Sequence, residues 1–320
     1  MTVNERLRGV TAALAITLLF SAASQASAPQ QKTQAPGYYR LMLGDFEITA
    51  LSDGTFPMSV RDLLTHITPQ QLDAALARSF LKDPVETSVN GFLVNTGSKL
   101  VLIDTGAGTS FGPTLGKLLS NLKASGYQPE QVDEIYITHM HGDHVGGLLA
   151  DGKPAFPNAI VRASQQEADY WLNKAHMDAA PKDRKDAYQS AMAALSPYVA
   201  AKKFQPFRGD VELVPGIRAV ATPGHTAGHT LYVVESQGQK LVLWGDLMHV
   251  AAVQFADPSI SIRFDTDSAS AVEQRRRVFA DAAAHGDWVG GAHLSFPGLG
   301  HLRAAASGYT FVHANYSALH

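Results

Sequence analysis

Thr138-His139-Met140-His141-Gly142-Asp143-His144 places three histidines and one aspartate within six positions, immediately after the apolar run Glu134-Ile135-Tyr136-Ile137. That run reads as a buried strand leading straight into His139. On a strand or tight loop, residues i and i+2 point the same way, so His139 and His141 can grip one ion. Asp143 and His144 follow Gly142, where the chain can turn and aim them at a second point. Gly146-Gly147 then lets the backbone approach its neighbours closely. Clustered imidazoles cost burial energy and repel one another when charged, and a carboxylate among them needs a cation. Such density points to metal binding rather than to architecture.

Working outward, the chain repeats itself once. Gly97-Ser98-Lys99-Leu100-Val101-Leu102-Ile103-Asp104 is echoed by Gly238-Gln239-Lys240-Leu241-Val242-Leu243-Trp244-Gly245-Asp246. Each stretch follows an apolar strand (Phe92 to Asn95, Leu231 to Glu235) across a glycine turn and ends on an aspartate. A hairpin that delivers a carboxylate twice implies two similar halves facing one site. An alternating pattern from Tyr39 to Phe56 predicts an edge hairpin. Thr68 is an N-cap ahead of Pro69 for a helix running to Leu81. Further helices are expected over Pro113 to Ser125, Ser164 to Asn173, Arg184 to Leu195 and Ala269 to Ala284. Strands separated by helices, with no Gly-, Ser- or Pro-rich linker between them, predict a single α/β sandwich domain over residues 37–320.

Composition narrows the chemistry. The 320 residues are 45% hydrophobic and 17% charged, which is a globular composition. A net charge of −3 with no basic cluster argues against a nucleic-acid partner. The chain has no cysteine, which removes disulfides, thiol nucleophiles and thiolate ligands, whereas 13 histidines remain available for a metal. Arg6 and Arg8, the apolar run Val10 to Phe20 and the ending Ala26-Ser27-Ala28 have the order of a secretory signal over residues 1–28, cleaved after Ala28. The apolar run falls short of the roughly 20 residues of a membrane span. Residues 29–36, rich in Gln and Pro, read as a flexible leader to a secreted or periplasmic protein.

Three further positions lie in loops after strands: His225 in Thr222-Pro223-Gly224-His225-Thr226-Ala227-Gly228-His229, Asp246 at the end of the echoed strand, and His293 in Gly290-Gly291-Ala292-His293. With the His139–His144 motif and Asp104, this ordered set resembles the metallo-β-lactamase-fold hydrolases, and the resemblance covers essentially all of residues 37–320. Through Thr87-Ser88-Val89, Asp104-Thr105-Gly106, Gln128 to Gly147 and His293-Leu294-Ser295-Phe296-Pro297-Gly298, it is nearest to methyl parathion hydrolase and its dihydrocoumarin-type lactonase relatives.

The resemblance implies an αββα sandwich of two mixed sheets flanked by helices, two divalent metal ions (zinc, with Mn, Co or Fe as alternatives) and a homodimer. It gives one metal His139, His141 and His225, gives the other Asp143, His144 and His293, and makes Asp246 the bridge. Asp104 becomes a support beside the metal loop, and His229 is passed over. Asp246 and Asp143 are the candidate catalytic carboxylates. Phe111, Trp171 and Tyr188 would line the substrate pocket, with His249 and Phe264 narrowing it against a tetrahedral organophosphate. A pair of cations can lower the pKa of water towards ~7. The expected activity is therefore hydrolysis of lactones and aryl esters, with weak phosphotriesterase activity. Phosphotriester hydrolysis as the main reaction is the alternative. A β-lactamase is disfavoured by the Asp143-His144 pair and the missing cysteine ligand. A non-catalytic exported binding module would not need the full set of seven ligands.

Overall fold

The computed structural model describes residues 28–109 and 111–319, and Pro36–His320 form one compact unit. Apart from Ala28, the secretion signal read over residues 1–28 lies outside the described residues. Residues 29–36 are exposed and form neither helix nor strand. Among the described residues, no helix is long and apolar enough to cross a membrane.

Two sheets form, each following chain order. The first contains β1 (Tyr38–Leu43), β2 (Phe46–Met58), β3 (Val85–Asn95), β4 (Leu100–Ile103), β5 (Glu134–Tyr136) and β6 (Ile160–Arg162). The second contains β7 (Val211–Val214), β8 (Ile217–Ala221), β9 (Thr230–Ser236), β10 (Gln239–Leu243), β11 (Trp288–Gly290), β12 (Leu299–Ala304) and β13 (Tyr309–His313). The sequence echo is realised strand for strand. β3–β4 and β9–β10 are antiparallel hairpins, and the second strand of each pairs in parallel with the next, β4 with β5 and β10 with β11.

Period-2 alternation sorts each strand's side chains between two cores. Phe92, Val94, Val101 and Ile103 face Tyr232, Val234, Leu241 and Leu243 between the sheets. Their neighbours Leu93, Leu100 and Leu102 point outward, onto the helices α2 (Leu118–Ala124), α4 (Gln165–Trp171) and α5 (Lys185–Ala200). On the far side, Leu231 and Val242 meet Val278 and Phe279 of α6 (Ser268–His285). The result is the αββα sandwich expected from the sequence.

Three helix boundaries differ from the sequence reading by three residues or more, the first being the helix expected to reach Leu81, which ends at Arg78. The helix expected from Pro113 begins only at Leu118, because the buried Asp53 carboxylate accepts the N–H groups of Ala107, Gly116 and Leu118 and holds the preceding segment as a loop. α5 runs past Leu195 and through Pro197 to Ala200. Beyond that proline, the buried Tyr198 hydroxyl donates to the Leu148 carbonyl and accepts the Phe156 N–H, which anchors the last turn.

The helix α1 (Pro69–Arg78) has the predicted Thr68 cap. Its hydroxyl accepts the Gln71 N–H, and the Gln71 side chain accepts the Thr68 N–H. Thr68→Ala should therefore lower unfolding stability by about 1 kcal/mol. Denaturant melts would show this, with metal content unchanged.

Candidate metal centre

The parallel strand pairs end at one edge of the sandwich, and the loops leaving them carry the polar cluster. β4 runs into Asp104, β5 into the His139–His144 segment, β10 into Asp246 and β11 into His293, while the β8–β9 loop carries His225. β5 stops at Tyr136, so His139 and His141 sit on a loop rather than on the strand, and His141 caps the short helix α3 (Gly142–Val145). Close approach requires glycine at two points. A Cβ on Gly147 would lie 1.9 Å from the Thr105 carbonyl oxygen. At Gly245, which has φ +53°, a Cβ would sit 2.9 Å from both His229 Nε2 and the Thr138 side chain.

Seven side chains converge as two sets around one carboxylate. In the first, His139 Nε2 and His225 Nε2 each lie 3.0 Å from His141 Nδ1. Asp246 Oδ2 lies 3.6 Å from the His139 nitrogen and 3.3 Å from the His225 nitrogen. In the second, Asp143 Oδ2 stands 3.6 Å from His144 Nε2 and 3.4 Å from His293 Nε2. Asp246 Oδ1 is 3.2 Å from the former and 3.3 Å from the latter. Asp246 thus presents one oxygen to each set. Both sets meet the spacing that a shared ion needs, and the clusters fit a binuclear site. His144 Nε2 and Asp246 Oδ1 are buried without a hydrogen-bond partner, which is costly unless a cation completes them.

The far sides of three rings are tied down. His144 Nδ1 donates to Asp104 Oδ2 at 2.8 Å, His225 Nδ1 to Asp265 Oδ1 at 3.0 Å, and His293 Nδ1 to the Ser88 carbonyl at 2.9 Å. These bonds fix the ring orientation and leave the opposite nitrogen facing the site. Asp104 also accepts the Thr138 N–H and hydroxyl, which locks it to the start of the His139–His144 segment. His229 stands outside both sets. Its Nε2 accepts the Asp246 N–H at 3.1 Å, and its Nδ1 faces Thr222 Oγ1 at 2.8 Å.

Electrostatics differ between the two sets. Burial, then the neighbouring His225, push His141 down to about 3. Burial and then His144 hold His139 well below its ordinary value. In the other set, burial opposes charge but is outweighed. Asp246, Asp143 and Asp104 raise His144 well above the usual range, and Asp246 leads in raising His293 to about 10. Asp246 itself is held well below the carboxylate range, because His293, His144, His249 and His139 together overcome its burial.

The residues read as pocket walls divide into three groups. Trp171 is buried, with its ring edge-on to His141 at 5.3 Å, and Tyr188 packs behind it at 4.8 Å. Phe111 is 50% exposed and lies against Gly142. His249 is closer to the chemistry than a wall residue: its Nε2 is 3.0 Å from Asp246 Oδ2, and its ring stacks on His293 at 5.1 Å. Phe264 leans over His249 at 5.9 Å and is 41% exposed. The sequence reading did not include Asp265, the Ser88 carbonyl or the buried Glu167. Each acts on a partner remote in sequence; Ser88 lies in the quoted Thr87-Ser88-Val89 stretch, which gave it no role, and Asp265 and Glu167 belong to no motif that names them.

A carboxylate shared by two inward-facing sets of imidazoles, at the strand-end rim of an αββα sandwich, is the site of a metal-dependent hydrolase. Residues 84–299 match the model of the metallo-beta-lactamase superfamily, and the chain belongs to that superfamily. It is 27% identical over 163 residues to an N-acyl homoserine lactonase of Bacillus cereus, an alignment covering 51% of this chain and 57% of that one. A second N-acyl homoserine lactonase, from a Bacillus species, is 30% identical over 127 residues, covering 40% and 42% respectively. The chain therefore spans about half the length of the curated relatives it matches.

Among solved structures, the hydrolase AbOPH of the beta lactamase superfamily is 41% identical with a TM-score of 0.85, covering 89% of this chain and 100% of that one. AidC, a dizinc quorum-quenching lactonase held with a product N-hexanoyl-L-homoserine, is 26% identical with a TM-score of 0.82. That match covers 88% of this chain and 99% of AidC.

Burial opposes charge on His144 and His293, but the neighbouring carboxylates outweigh it and raise His144 and, to about 10, His293, so a cation at their inward nitrogens competes with protons. Zinc affinity should therefore fall as pH drops below about 10. Zinc calorimetry in buffers of different ionisation enthalpy should show proton release on binding. Buffer-independent heats would contradict the assignment.

Proposed function

We propose that the chain is a di-metal hydrolase of lactones and aryl esters, loaded with two divalent cations, zinc first. His139, His141 and His225 hold one ion, Asp143, His144 and His293 hold the other, and Asp246 spans both. The observation that carries this reading is the split of the Asp246 carboxylate between two sets of inward-facing ligand atoms. The curated lactonase relatives and the lactonase AidC support the lactone class.

When bound, the cations supply a nucleophile at neutral pH by acidifying water, and they polarise the carbonyl under attack. The protein's own groups do the rest. Asp246 fixes the separation of the two sets, and the Asp104, Asp265 and Ser88 contacts aim the rings. Trp171, backed by Tyr188, offers a flat aromatic wall beside His141 on which a planar acyl or aryl group can stack. A ring-opened lactone or a phenol needs no long leaving-group channel, and a phenolate leaves without a dedicated acid. On the opposite side, His249 and Phe264 crowd the approach. That crowding disfavours a tetrahedral phosphotriester, so organophosphate hydrolysis is a weaker side activity. By family resemblance the proposal extends to an exported homodimer.

The zinc-loaded chain should be assayed with dihydrocoumarin, a p-nitrophenyl ester, an N-acyl homoserine lactone and methyl parathion, beside His141→Ala. Lactone and ester turnover should exceed organophosphate turnover and fall by at least about 100-fold in the variant. Methyl parathion turnover above that of every lactone would reverse the roles of His249 and Phe264. Full metal content with no turnover of any substrate would leave β-lactams, then binding without catalysis.

A further inference from the structure

Two buried carboxylates, Asp53 and Glu167, are used neither by the two metal sets nor by any ion pair among the described residues, and Glu167 alone of them touches the loops of those sets. Glu167 is fully buried in the first turn of α4. Ser164-Gln165-Gln166-Glu167 has the spacing of a capping box, and half of that box forms: the Ser164 hydroxyl accepts the Glu167 N–H at 3.1 Å. The other half does not. The Glu167 carboxylate turns away from the Ser164 N–H, and its two oxygens accept backbone N–H groups from two different loops. Oε2 takes Met140, between His139 and His141, at 2.9 Å. Oε1 takes Gly228, in the loop of His225, also at 2.9 Å.

The chemistry of these contacts requires a carboxylate. Both partners are donors, so the side chain must supply two acceptors. A glutamine has one acceptor, and its amide would set a donor against a donor. Burying an unpaired carboxylate costs several kcal/mol, and such a group persists where both oxygens are used and positive charge lies close by. Two other features tie the same helix to the same two loops. The Ser164 hydroxyl donates to the Gly228 carbonyl at 2.8 Å, and a Cβ on Gly228 would collide with Ser164 Oγ at 2.4 Å and the Glu167 nitrogen at 2.5 Å. One turn further along α4, Trp171 sets its ring against His141.

We propose that Glu167 is the positioning residue of the first metal set, pinning the His139–His141 loop to the His225 loop at the separation one cation needs. The inference rests on the reading of His139, His141 and His225 as one ligand set. Its consequence is asymmetric. Among the described residues, no hydrogen bond or ion pair joins Glu167 to Asp143, His144 or His293, so its loss weakens one metal position and spares the other.

The test is a cobalt(II) titration of the metal-free full chain, followed by d–d absorption and by metal analysis after dialysis. Wild type, Glu167→Gln, Glu167→Asp, His141→Ala and His293→Ala would be compared. Wild type should bind two equivalents. Glu167→Gln, which keeps the volume and removes the charge, should weaken the same equivalent as His141→Ala by about 10- to 100-fold. The equivalent lost in His293→Ala should be unchanged. Glu167→Asp keeps both acceptors on a shorter arm and should recover part of that loss.

Equal weakening of both equivalents, matching a general loss of structure in circular dichroism, would overturn the proposal. So would two equivalents bound as in wild type by Glu167→Gln. If Glu167→Gln failed to fold, Glu167→Asp would decide by the same asymmetry. A wild type that bound fewer than two equivalents, with His141→Ala indistinguishable from it, would instead sink the ligand assignment itself.

Discussion

The Asp246 carboxylate, buried and facing five imidazole rings within 3.6 Å, is the constraint around which the molecule is arranged. A carboxylate at that depth is tolerable only if positive charge meets both of its oxygens. Supplying that charge from one short segment is impossible, because the rings must approach from opposite sides. The fold meets the requirement with two sheets of like connectivity. In each, a hairpin is followed by a parallel strand, so the carboxyl ends of β4, β5, β10 and β11 collect at one rim. The interior core between the sheets brings those rims together, and the chemistry sits where they meet.

Around that centre the supports form a graded series. Asp104, Asp265 and the Ser88 carbonyl orient individual rings. Asp265 is itself buried beside Arg275, whose guanidinium donates to the carbonyls of Leu247, Pro258 and Ile260 and so ties the segment after Asp246 to α6. At the level of loops rather than rings, Asp53 gathers three N–H groups below the Phe111 loop, and Glu167 joins two of the metal-bearing loops. Buried acids with backbone donors recur because a carboxylate can hold several loop N–H groups at once, without the side-chain bulk a hydrophobic anchor would need.

How much of this the sequence disclosed depends on range. Thr138–His144 was legible because its ligands are adjacent, and the echo of Leu100–Asp104 in Leu241–Asp246 was legible because a hairpin is local. His225, Asp246 and His293 became legible only through resemblance, since each is a single polar residue in a glycine-rich loop. Of the supports, Asp104 was legible through the resemblance, whereas Asp265 and Glu167 were not. Glu167 serves positions 27 and 61 residues away, and Asp265 serves one 40 residues away. Ser164-x-x-Glu167 even reads as a local capping box, and only packing shows that its glutamate is diverted. The same physics displaced the start of the helix expected from Pro113: Asp53, over fifty residues upstream, outcompetes local propensity there. His249 read as a wall residue, because nothing in sequence reveals that the turn after Asp246 folds its ring back onto that carboxylate.

The site therefore has two mechanically distinct halves. Its floor is made of rings and carboxylates that are mostly buried, and His144, His225 and His293 are each held by a contact outside the cluster, so a change there disturbs several loops together. Phe111, against Gly142, and Phe264, against His249, are part-exposed side chains with solvent on one face. Replacing an exposed aromatic removes little buried area and leaves no cavity in a packed core, whereas truncating Trp171 would expose the edge of His141. Exchange of the part-exposed aromatics thus costs the fold little, while exchange within the buried cluster costs it much. In this member of the metallo-beta-lactamase superfamily, the buried cluster is therefore the part that substitution disturbs most, and the exposed aromatics around it are the part it disturbs least.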